Sequence, residues 1–467
     1  MKKRGKMADS EKILKLKEKA RKTSVIESSF ATVQTGIGDN YIAPYALALN
    51  ANNLHISLLS SIPGLLGPLS QNWGSKLIEK YSRKKIALFG VLFQALTWLP
   101  IIILAYLFYK GIWTSMLPLL LIIFFSAYTI FGNLAGPAVF SWLGDIVSEN
   151  QRGKYFSFRN RVTGFFSLVC TLIAAFLLDF FKQHSFLLLG FVIFFAVAMI
   201  SRLISRELFK KIYEPKLKLE DGYYFSFWQF IKRAPKNNFG KFSIYVAMLH
   251  FAAAIAGPFF AVYMLKDLQF SYVIYIIVTI TQTASGLLFM PLLGKFSDKY
   301  GNYRLIKLSS IFVSIFPIFW LFSSSPLYLI FVPQLIVGIA WAGFNLAVGN
   351  FIYDAVTPQR RGIAVSYYNV LIGAGVFIGA TLGGLVAKYA TINFMNIFLF
   401  LFLISGIARA IVSIIMLPRI KEVREVKKFD GHKALKHLVL KTMRLPLQIV
   451  GPNFELLVNK KFRYIKK

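Results

Sequence analysis

The sequence predicts an all-α integral membrane protein in which twelve transmembrane helices form two pseudo-symmetric six-helix bundles. Of its 467 residues, 56% are hydrophobic and 16% are charged, and the apolar residues stand in long runs of the kind that crosses a bilayer. Lysine and arginine are concentrated in alternate loops and in both tails. Short polar motifs recur about 210 residues apart, which indicates a duplicated unit.

Twelve apolar runs of roughly 22 to 32 residues are each long enough to cross a hydrocarbon core of ~30 Å at ~1.5 Å per residue. Each run is predicted to be a helix, because lipid offers the backbone no hydrogen-bond partner. The predicted spans lie near residues 24–49, 53–74, 84–109, 112–143, 157–181, 184–206, 239–265, 270–294, 303–324, 326–352, 363–387 and 393–417.

The distribution of basic residues predicts the orientation. Basic loops follow spans 2, 4, 6, 8 and 10, whereas the loops after the odd-numbered spans contain only Lys110, Lys182, Lys266 and Lys388. By the positive-inside rule, both termini are cytoplasmic and the chain is a multi-pass protein of the cell membrane. The formal net charge of +34 follows from this topology. A nucleic-acid partner is therefore not expected, and a basic nucleic-acid patch on the tails is the disfavoured alternative.

These features divide the chain into five segments. They are a basic cytoplasmic N-terminal segment 1–23, an N-terminal six-helix bundle 24–207, a cytoplasmic linker 208–238, a C-terminal six-helix bundle 239–418 and a basic cytoplasmic tail 419–467. Ile13, Leu14 and Leu16 lie among lysines and predict a short helix on the surface of anionic membrane lipid. A solvated charged segment is the alternative. Phe227 and Phe230, next to basic residues, predict a surface helix in the linker.

Two motifs carry the duplication. The stretch GKFSDKYGNYR, residues 294–304, joins two apolar runs, and its DKYG (298–301) is echoed by EKYS (79–82) in the first half. Asp354 precedes an Arg-Gly pair by seven residues, and Asp145 precedes another at the same spacing. Because both motifs occur in each half, the halves are predicted to share one fold.

GKFSDKYGNYR resembles the loop signature of the major facilitator superfamily, G-x-x-x-D-R/K-x-G-R-R. Asp354 with Arg361-Gly362 resembles a second signature of the family, D-x-x-P-x-x-x-R-G, with Pro358 one place late. The first-half copies are degenerate. The resemblance covers about residues 25 to 418 and implies the twelve-helix, two-bundle fold of secondary transporters.

The resemblance also implies that these charged loops form a latch on the inner side. Asp298 would accept hydrogen bonds from the amides that open a neighbouring helix. Asp145 with Arg152, and Asp354 with Arg361, are predicted pairs worth ~0–1 kcal/mol each if exposed. Topology markers in solvated loops are the alternative. The predicted gating residues are Gly294, Asp298, Lys299, Gly301, Glu79, Asp145, Arg152, Asp354 and Arg361.

A central cavity lined by spans 1, 4, 7 and 10 is a further implication of the resemblance. It nominates polar and aromatic residues of those spans, and Gln282 of span 8 is a weaker candidate. The predicted substrate or proton site consists of Gln34, Thr35, Asp39, Asn40, Asn133, His250, Tyr263, Trp341, Asn345 and Gln282. The set contains no arginine or lysine, which anionic solutes usually need. A neutral or cationic small solute is therefore favoured.

Asp39 stands apart from the other candidates. It lies about 15 residues into span 1, ~21 Å along the helix, and Ala253 occupies the corresponding place in the second half. A charged side chain at mid-membrane costs ~2.5–3.5 kcal/mol on insertion scales, so a functional role is the default hypothesis. Asp39 is predicted either to carry protons or to bind a cationic group of the solute. A carboxylate bonded to a neighbouring helix is the structural alternative.

Two smaller features are interpreted as packing. Gly375, Gly379, Gly383 and Gly384 give span 11 faces of small residues that let helices approach closely. Cys170, the single cysteine, is predicted to be a small buried hydrophobe.

Three charged residues lie near the ends of predicted spans. Arg202 and Arg409, near the ends of spans 6 and 12, are predicted to extend their charges to the interface. Glu27 is predicted to reach water at the inner end of span 1.

The predicted function is ion-coupled secondary transport of a small solute by alternating access. The sequence has no G-x-x-x-x-G-K-S/T loop, which argues against a built-in ATPase. Facilitated diffusion is the other energetic possibility. Efflux of amphipathic compounds and a non-transporting receptor or scaffold are the alternative functions. No enzyme, cofactor or metal site is predicted, and the protein is expected to act as a monomer.

Overall fold

The computed structural model describes residues 2–78, 80–147, 152–215 and 226–426, without the side chains of residues 2–10, 152–154, 157, 358 and 359. Glu79, most of the linker and the tail beyond residue 426 lie outside this part. In the described part, helical segments occupy all twelve predicted places. Nine helices there are long and apolar enough to cross a membrane by length and composition alone; they are spans 3–8 and 10–12.

The spans of the N-terminal bundle are as follows. Span 1 comprises Lys2–Ile37, a 3-10 turn Asp39–Tyr41 and Ile42–Ala48; span 2 is Asn53–Leu77; span 3 comprises Arg83–Leu96 and Trp98–Tyr109; span 4 is Leu117–Ile146; span 5 is Arg152–Gln183; and span 6 is Leu187–Lys211.

The linker contains the helix Phe227–Arg233 and a 3-10 turn Ala234–Lys236, as its apolar pattern predicts. In the C-terminal bundle, span 7 comprises Asn238–Ala256, Phe259–Val262 and a π-helical turn Tyr263–Asp267; span 8 is Tyr272–Tyr300; span 9 is Asn302–Phe319; span 10 comprises Pro326–Leu329, a π-helical turn Ile330–Gln334 and Leu335–Ala355; span 11 is Pro358–Tyr389; and span 12 is Ile397–Met416.

Span 1 differs from its prediction at both ends. The basic N-terminal segment is not a separate surface helix, because the helix runs without a break through 36 residues from Lys2 to Ile37. Glu11–Lys15 and Glu18–Lys22 pairs at 2.9 and 3.0 Å support this extension. The apolar run is not one helix either, since the chain changes to a 3-10 turn directly after Gly38.

The glycines of span 11 allow close packing against span 7 of the same bundle and against span 2 of the other bundle. A Cβ atom on Gly375, Gly379 or Gly383 would lie 2.1–2.5 Å from a backbone carbonyl of span 7. A Cβ on Gly384 would lie 2.1 Å from Ser57 Oγ of span 2, and that hydroxyl donates to the Ala380 carbonyl at 2.7 Å. The glycines therefore serve packing, as the sequence predicts.

Contrary to the prediction, Arg409 does not extend its charge to the interface. Its side chain is 2% exposed and has no acidic partner among the described residues. It donates to the Val313 carbonyl at 2.9 Å and to the Ala253 carbonyl at 3.4 Å. Pro317 stands four residues after Val313 and has no N–H, so the Val313 carbonyl lacks its helical donor. Arg409 of span 12 supplies the missing hydrogen bond to span 9.

This arrangement predicts a non-additive pair of substitutions. Arg409→Met should lower the free energy of unfolding by ~1–3 kcal/mol, because the buried Val313 carbonyl loses its charge-assisted donor. Pro317→Ala restores an N–H, so Arg409→Met should cost less in that background. Thermal unfolding of the purified variants measures both values. Equal costs in the two backgrounds would show that Arg409 does not compensate for Pro317.

Candidate functional site

Asp39 lies at the point where span 1 breaks. The Tyr128 hydroxyl of span 4 donates to its carboxylate, and the Gln34 amide donates to the Tyr128 oxygen. Thr35, one turn earlier in span 1, lies near the carboxylate. Asp39 is half-buried, while Thr35 is exposed. The carboxylate thus has a hydroxyl donor from span 4 and an open side.

Tyr128 was not among the predicted site residues. Its ring is 4% exposed and packs against Trp98 and Phe125, with ring centroids 5.0 and 5.4 Å away. These aromatic contacts fix the hydroxyl opposite Asp39. The only indication in the sequence is its place on span 4, which the family resemblance assigns to the cavity.

A second polar cluster joins spans 1, 3 and 6. Glu27 is 2% exposed and accepts from Ser205 at 2.7 Å, and its carboxylate lies 3.9 Å from Arg202. Arg202 also donates to Gln94 Oε1 at 2.9 Å. The predictions that Glu27 reaches water and that Arg202 reaches the interface are therefore wrong. Gly132 makes room for the cluster, since a Cβ there would lie 2.3 Å from Gln94 Nε2.

The remaining candidates of the N-terminal bundle bond to neighbouring segments. Asn40 is exposed and donates to the Thr171 hydroxyl of span 5 at 3.0 Å. Asn133 donates to the Thr129 carbonyl one turn earlier on span 4 at 2.9 Å. Cys170 of span 5 is half-buried rather than buried, and its Cβ would lie 2.9 Å from a Cβ on Gly36.

His250 and Trp341 form an aromatic pair in the C-terminal bundle. Their ring centroids are 5.4 Å apart. His250 Nδ1 lies 2.9 Å from the Val246 carbonyl and donates to it; in the neutral imidazole, Nε2 is then an acceptor. Asn345, one turn after Trp341, is exposed. Spans 7 and 10 thus contribute an imidazole, an indole and an amide.

Two nominated residues of this bundle are placed differently. Tyr263 is 6% exposed and packs against Trp320, Phe398 and Phe402, which lie on spans 9 and 12. Gln282 of span 8 lies where span 10 approaches most closely, because a Cβ on Gly338 would be 2.1 Å from its carbonyl oxygen. The structure does not bring either residue into the contacts that join His250 to Trp341.

The acidic residues at the C-terminal ends of spans 4 and 10 have partners that the sequence did not predict. Asp145 binds Arg83 of span 3 at 2.6 Å, and Arg83 is 1% exposed. The side chain of Arg152 is outside the described part. Asp354 accepts from Asn302 at 2.7 Å and lies 3.0 Å from Arg424. The predicted Asp354–Arg361 pair is wrong, because Arg361 donates to carbonyls at 3.0 and 3.2 Å that end its own preceding helix.

Two further acids, one after each bundle, repeat the symmetry of this layer. Glu214, after span 6, accepts from the Lys84 amide at 3.3 Å. Glu422, after span 12, accepts from the Tyr303 amide at 2.8 Å. The two carboxylates thus lie at the N-termini of spans 3 and 9, where the helix dipole favours an anion. The segments that leave the two bundles are therefore anchored in the same way.

Residues 294–304 were predicted to form a polar loop, but span 8 runs to Tyr300 and span 9 begins at Asn302, so only Gly301 joins the two helices. Asp298 therefore lies in the last turn of span 8. Asp298 is exposed and makes no hydrogen bond or ion pair among the residues the structure describes. The Lys299 ammonium lies 4.9 Å from the centroid of the Tyr300 ring, and Gly294 has open space around it. Gly301 has a φ of +95° and ends span 8, a conformation that favours glycine. Glu79, the first-half counterpart of Asp298, lies outside the described residues.

The two-bundle fold with a polar half-site in each bundle defines the class of the molecule, a membrane transporter. The Major Facilitator Superfamily model matches residues 29–249 and again residues 242–459. The chain belongs to the major facilitator superfamily, and the double match agrees with the duplicated unit in the sequence.

A relative has the same family assignment, and solved transporter structures have a similar fold. An uncharacterized MFS-type transporter of Methanocaldococcus jannaschii is 25% identical over 396 residues, which cover 84% of this chain and 96% of the relative. The nucleoside transporter NupG has a similar fold, with a TM-score of 0.62 over 86% of this chain and all of NupG, at 16% identity. An auto-inhibited POT family peptide transporter aligns with a TM-score of 0.62 over 88% of this chain and 99% of its own, at 12% identity.

Proposed function

We propose that the protein is a secondary active transporter that carries a small solute across the cell membrane by alternating access, with protons coupled through Asp39. The observation that carries the proposal is the Asp39 carboxylate at the break in span 1, bonded by the Tyr128 hydroxyl of span 4. An ionisable group at this depth needs a functional reason or a partner of opposite charge. Its hydrogen-bond partner Tyr128 is neutral, and the Arg202 guanidinium, which attracts the carboxylate through space, is itself engaged by Glu27 and Gln94.

Protonation would change the contact between spans 1 and 4. A charged carboxylate only accepts hydrogen bonds, whereas a protonated one also donates. The bond from Tyr128 would lose its charge assistance, which roughly doubles the strength of such a bond. The Tyr128 oxygen also accepts a hydrogen bond from the Gln34 amide. A change in the Asp39–Tyr128 bond therefore also affects Gln34 of span 1. This is the step that links proton binding to movement of the bundle.

The solute is proposed to be neutral or cationic. The candidate residues of the two half-sites are Asp39, polar amides, an imidazole and an indole. The nearby Arg202 is engaged by Glu27 and Gln94. The His250–Trp341 pair offers an aromatic face, which suits ring-bearing or cationic solutes and is also compatible with efflux of amphipathic compounds.

The orientation follows from the positive-inside rule. Both termini and the linker are proposed to be cytoplasmic, and the inner layer of Asp145, Asp354, Glu214 and Glu422 then faces the cytoplasm. Each half-site lies within one chain, so a monomer suffices for transport.

A solute screen followed by uptake tests the function. Purified protein is screened by thermal shift against neutral and cationic metabolites and drugs. A ligand at about 100 times its dissociation constant should stabilise the fold by ~2.7 kcal/mol. Solutes that stabilise are then offered to proteoliposomes, where a transporter takes them up. Stabilisation without uptake of any hit would favour the receptor or scaffold.

Asp298→Asn is expected to favour states that are open to the inner side. Because Asp298 has no partner in the described conformation, its substitution leaves this state unchanged and weakens only a state in which the latch forms. A cysteine in the inner half of span 4, in a background without Cys170, should react faster with a thiol reagent supplied inside. Lys295→Gln, one turn earlier on span 8, is the control. Unchanged reactivity with full transport would identify Asp298 as a topology marker.

A further inference from the structure

We propose that Asp179 is a latch that holds the outer sides of the two bundles together. It belongs to the N-terminal bundle and binds the first turn of span 8 in the C-terminal bundle. The inference rests on the proposed alternating access, since a latch has a role only in a protein that opens. Its test needs no solute.

The contact uses both oxygens of the carboxylate. Asp179 lies in the last two turns of span 5, and its Oδ1 and Oδ2 accept from the Tyr272 and Val273 amides at 2.8 and 2.9 Å. The next amide, that of Ile274, donates to the Ser271 hydroxyl at 3.2 Å. A helix start leaves four N–H groups without internal partners and carries partial positive charge. An acid of one bundle thus satisfies two groups of the other.

The surroundings of this contact also come from both bundles. The Tyr272 ring lies edge-on to Phe191 of span 6 at 6.4 Å, and the Lys182 ammonium lies 5.6 Å from its centroid. A cavity of about 400 Å³ adjoins them, and its walls include Asn52 and Lys182 from one bundle and Lys266 and Tyr272 from the other. This arrangement exists only while the outer ends are together.

The symmetry of the chain argues against a purely structural role. At the spacing that relates Asp145 to Asp354, the counterpart of Asp179 is Lys388 near the end of span 11. There, spans 2 and 11 are joined by neutral groups, with Asn53 donating to the Ala387 carbonyl at 3.3 Å. An acid required by the shared fold would recur in the second half. Asp179 does not recur, which is expected of a gate contact specific to spans 5 and 8.

The strength of the contact suits a latch. When the outer side opens, the carboxylate and the two amides become exposed to water. Hydrogen bonds to water then replace the two hydrogen bonds of the latch. Net contributions of hydrogen bonds to charged groups are moderate, which corresponds to about a tenfold to hundredfold change in an equilibrium. Such a contact biases the closed state and still breaks in each cycle.

The test measures opening directly. Ser57→Cys, in a Cys170→Ser background, places a thiol at a position that is 0% exposed between spans 2 and 11. A membrane-impermeant thiol reagent is added to the outside of oriented vesicles. Asp179→Ala should raise the labelling rate about tenfold or more, the change expected for loss of a charge-assisted bond, and Asp179→Asn should give an intermediate rate. Gln183→Ala, exposed one turn later on the same helix, should leave the rate unchanged.

A second thiol separates opening from unfolding. A cysteine at the inner end of span 4 should become less reactive from the inside in Asp179→Ala, because outward opening closes the inner side. An increase at both cysteines would indicate local unfolding and would overturn the proposal. The proposal would also be overturned if Asp179→Ala and Asp179→Asn were labelled no faster than Gln183→Ala. Because no solute is present, failure of the latch and failure of transport are observed separately.

Discussion

Asp39→Asn is expected to abolish gradient-driven accumulation of the solute while the folded protein remains in the membrane. Asparagine keeps the size of the side chain and can still accept from Tyr128, so the packing at the break in span 1 is retained. It cannot bind and release a proton near neutral pH, and it cannot balance a cationic group. Accumulation in proteoliposomes under an imposed proton gradient should fall to the level seen without a gradient.

Solute exchange distinguishes the two roles of Asp39. If Asp39 carries only protons, exchange of labelled for unlabelled solute should survive in Asp39→Asn. If it binds the solute, exchange should fail as well. Glu207→Gln, which removes an exposed acid on span 6, is the control and should transport normally. Wild-type accumulation with unchanged pH dependence in Asp39→Asn would eliminate both roles.

Arg202→Met is expected to destabilise the protein by ~3–5 kcal/mol, because it removes the ion-pair partner of the buried Glu27. The double variant Arg202→Met with Glu27→Gln should lose less stability than the sum of the losses of the two single variants, because it removes both charges. Chemical or thermal unfolding of the four proteins in a double-mutant cycle measures the coupling.

Arg206→Met is the matched control for this cycle. Arg206 stands one turn later on the same helix and pairs with Glu207 at 2.9 Å, a shorter distance than the 3.9 Å between Arg202 and Glu27. Glu207 is exposed, however, so the loss should be only ~0–1 kcal/mol. If Arg202→Met costs no more than Arg206→Met, burial does not decide the strength of these pairs and the account of the cluster is wrong.

Features that depend on local sequence were predicted well. The apolar runs located the spans, because bilayer thickness acts on each stretch of chain separately. The duplicated motifs indicated two bundles, and the family match over both halves agrees. The glycines of span 11 were correctly assigned to packing, since small residues at four-residue spacing have few other uses.

Features that depend on distant segments were not predicted. Arg83 is the partner of Asp145 and Arg424 is the partner of Asp354, and no spacing in the sequence relates either pair. The role of Arg409 depends on a proline in another span. Tyr128 is a tyrosine in an apolar run, where most tyrosines only pack. Such residues acquire their roles from helix packing, which periodicity does not reveal.

The central claim is proton-coupled transport, and one measurement tests it most directly. Wild-type protein is reconstituted into proteoliposomes, a proton gradient is imposed, and the internal concentration of a stabilising solute is followed. The account predicts that the gradient drives the solute past equal concentrations on the two sides and that a protonophore collapses the difference. A solute that only equilibrates across the membrane, at a rate indifferent to the protonophore, would contradict coupling.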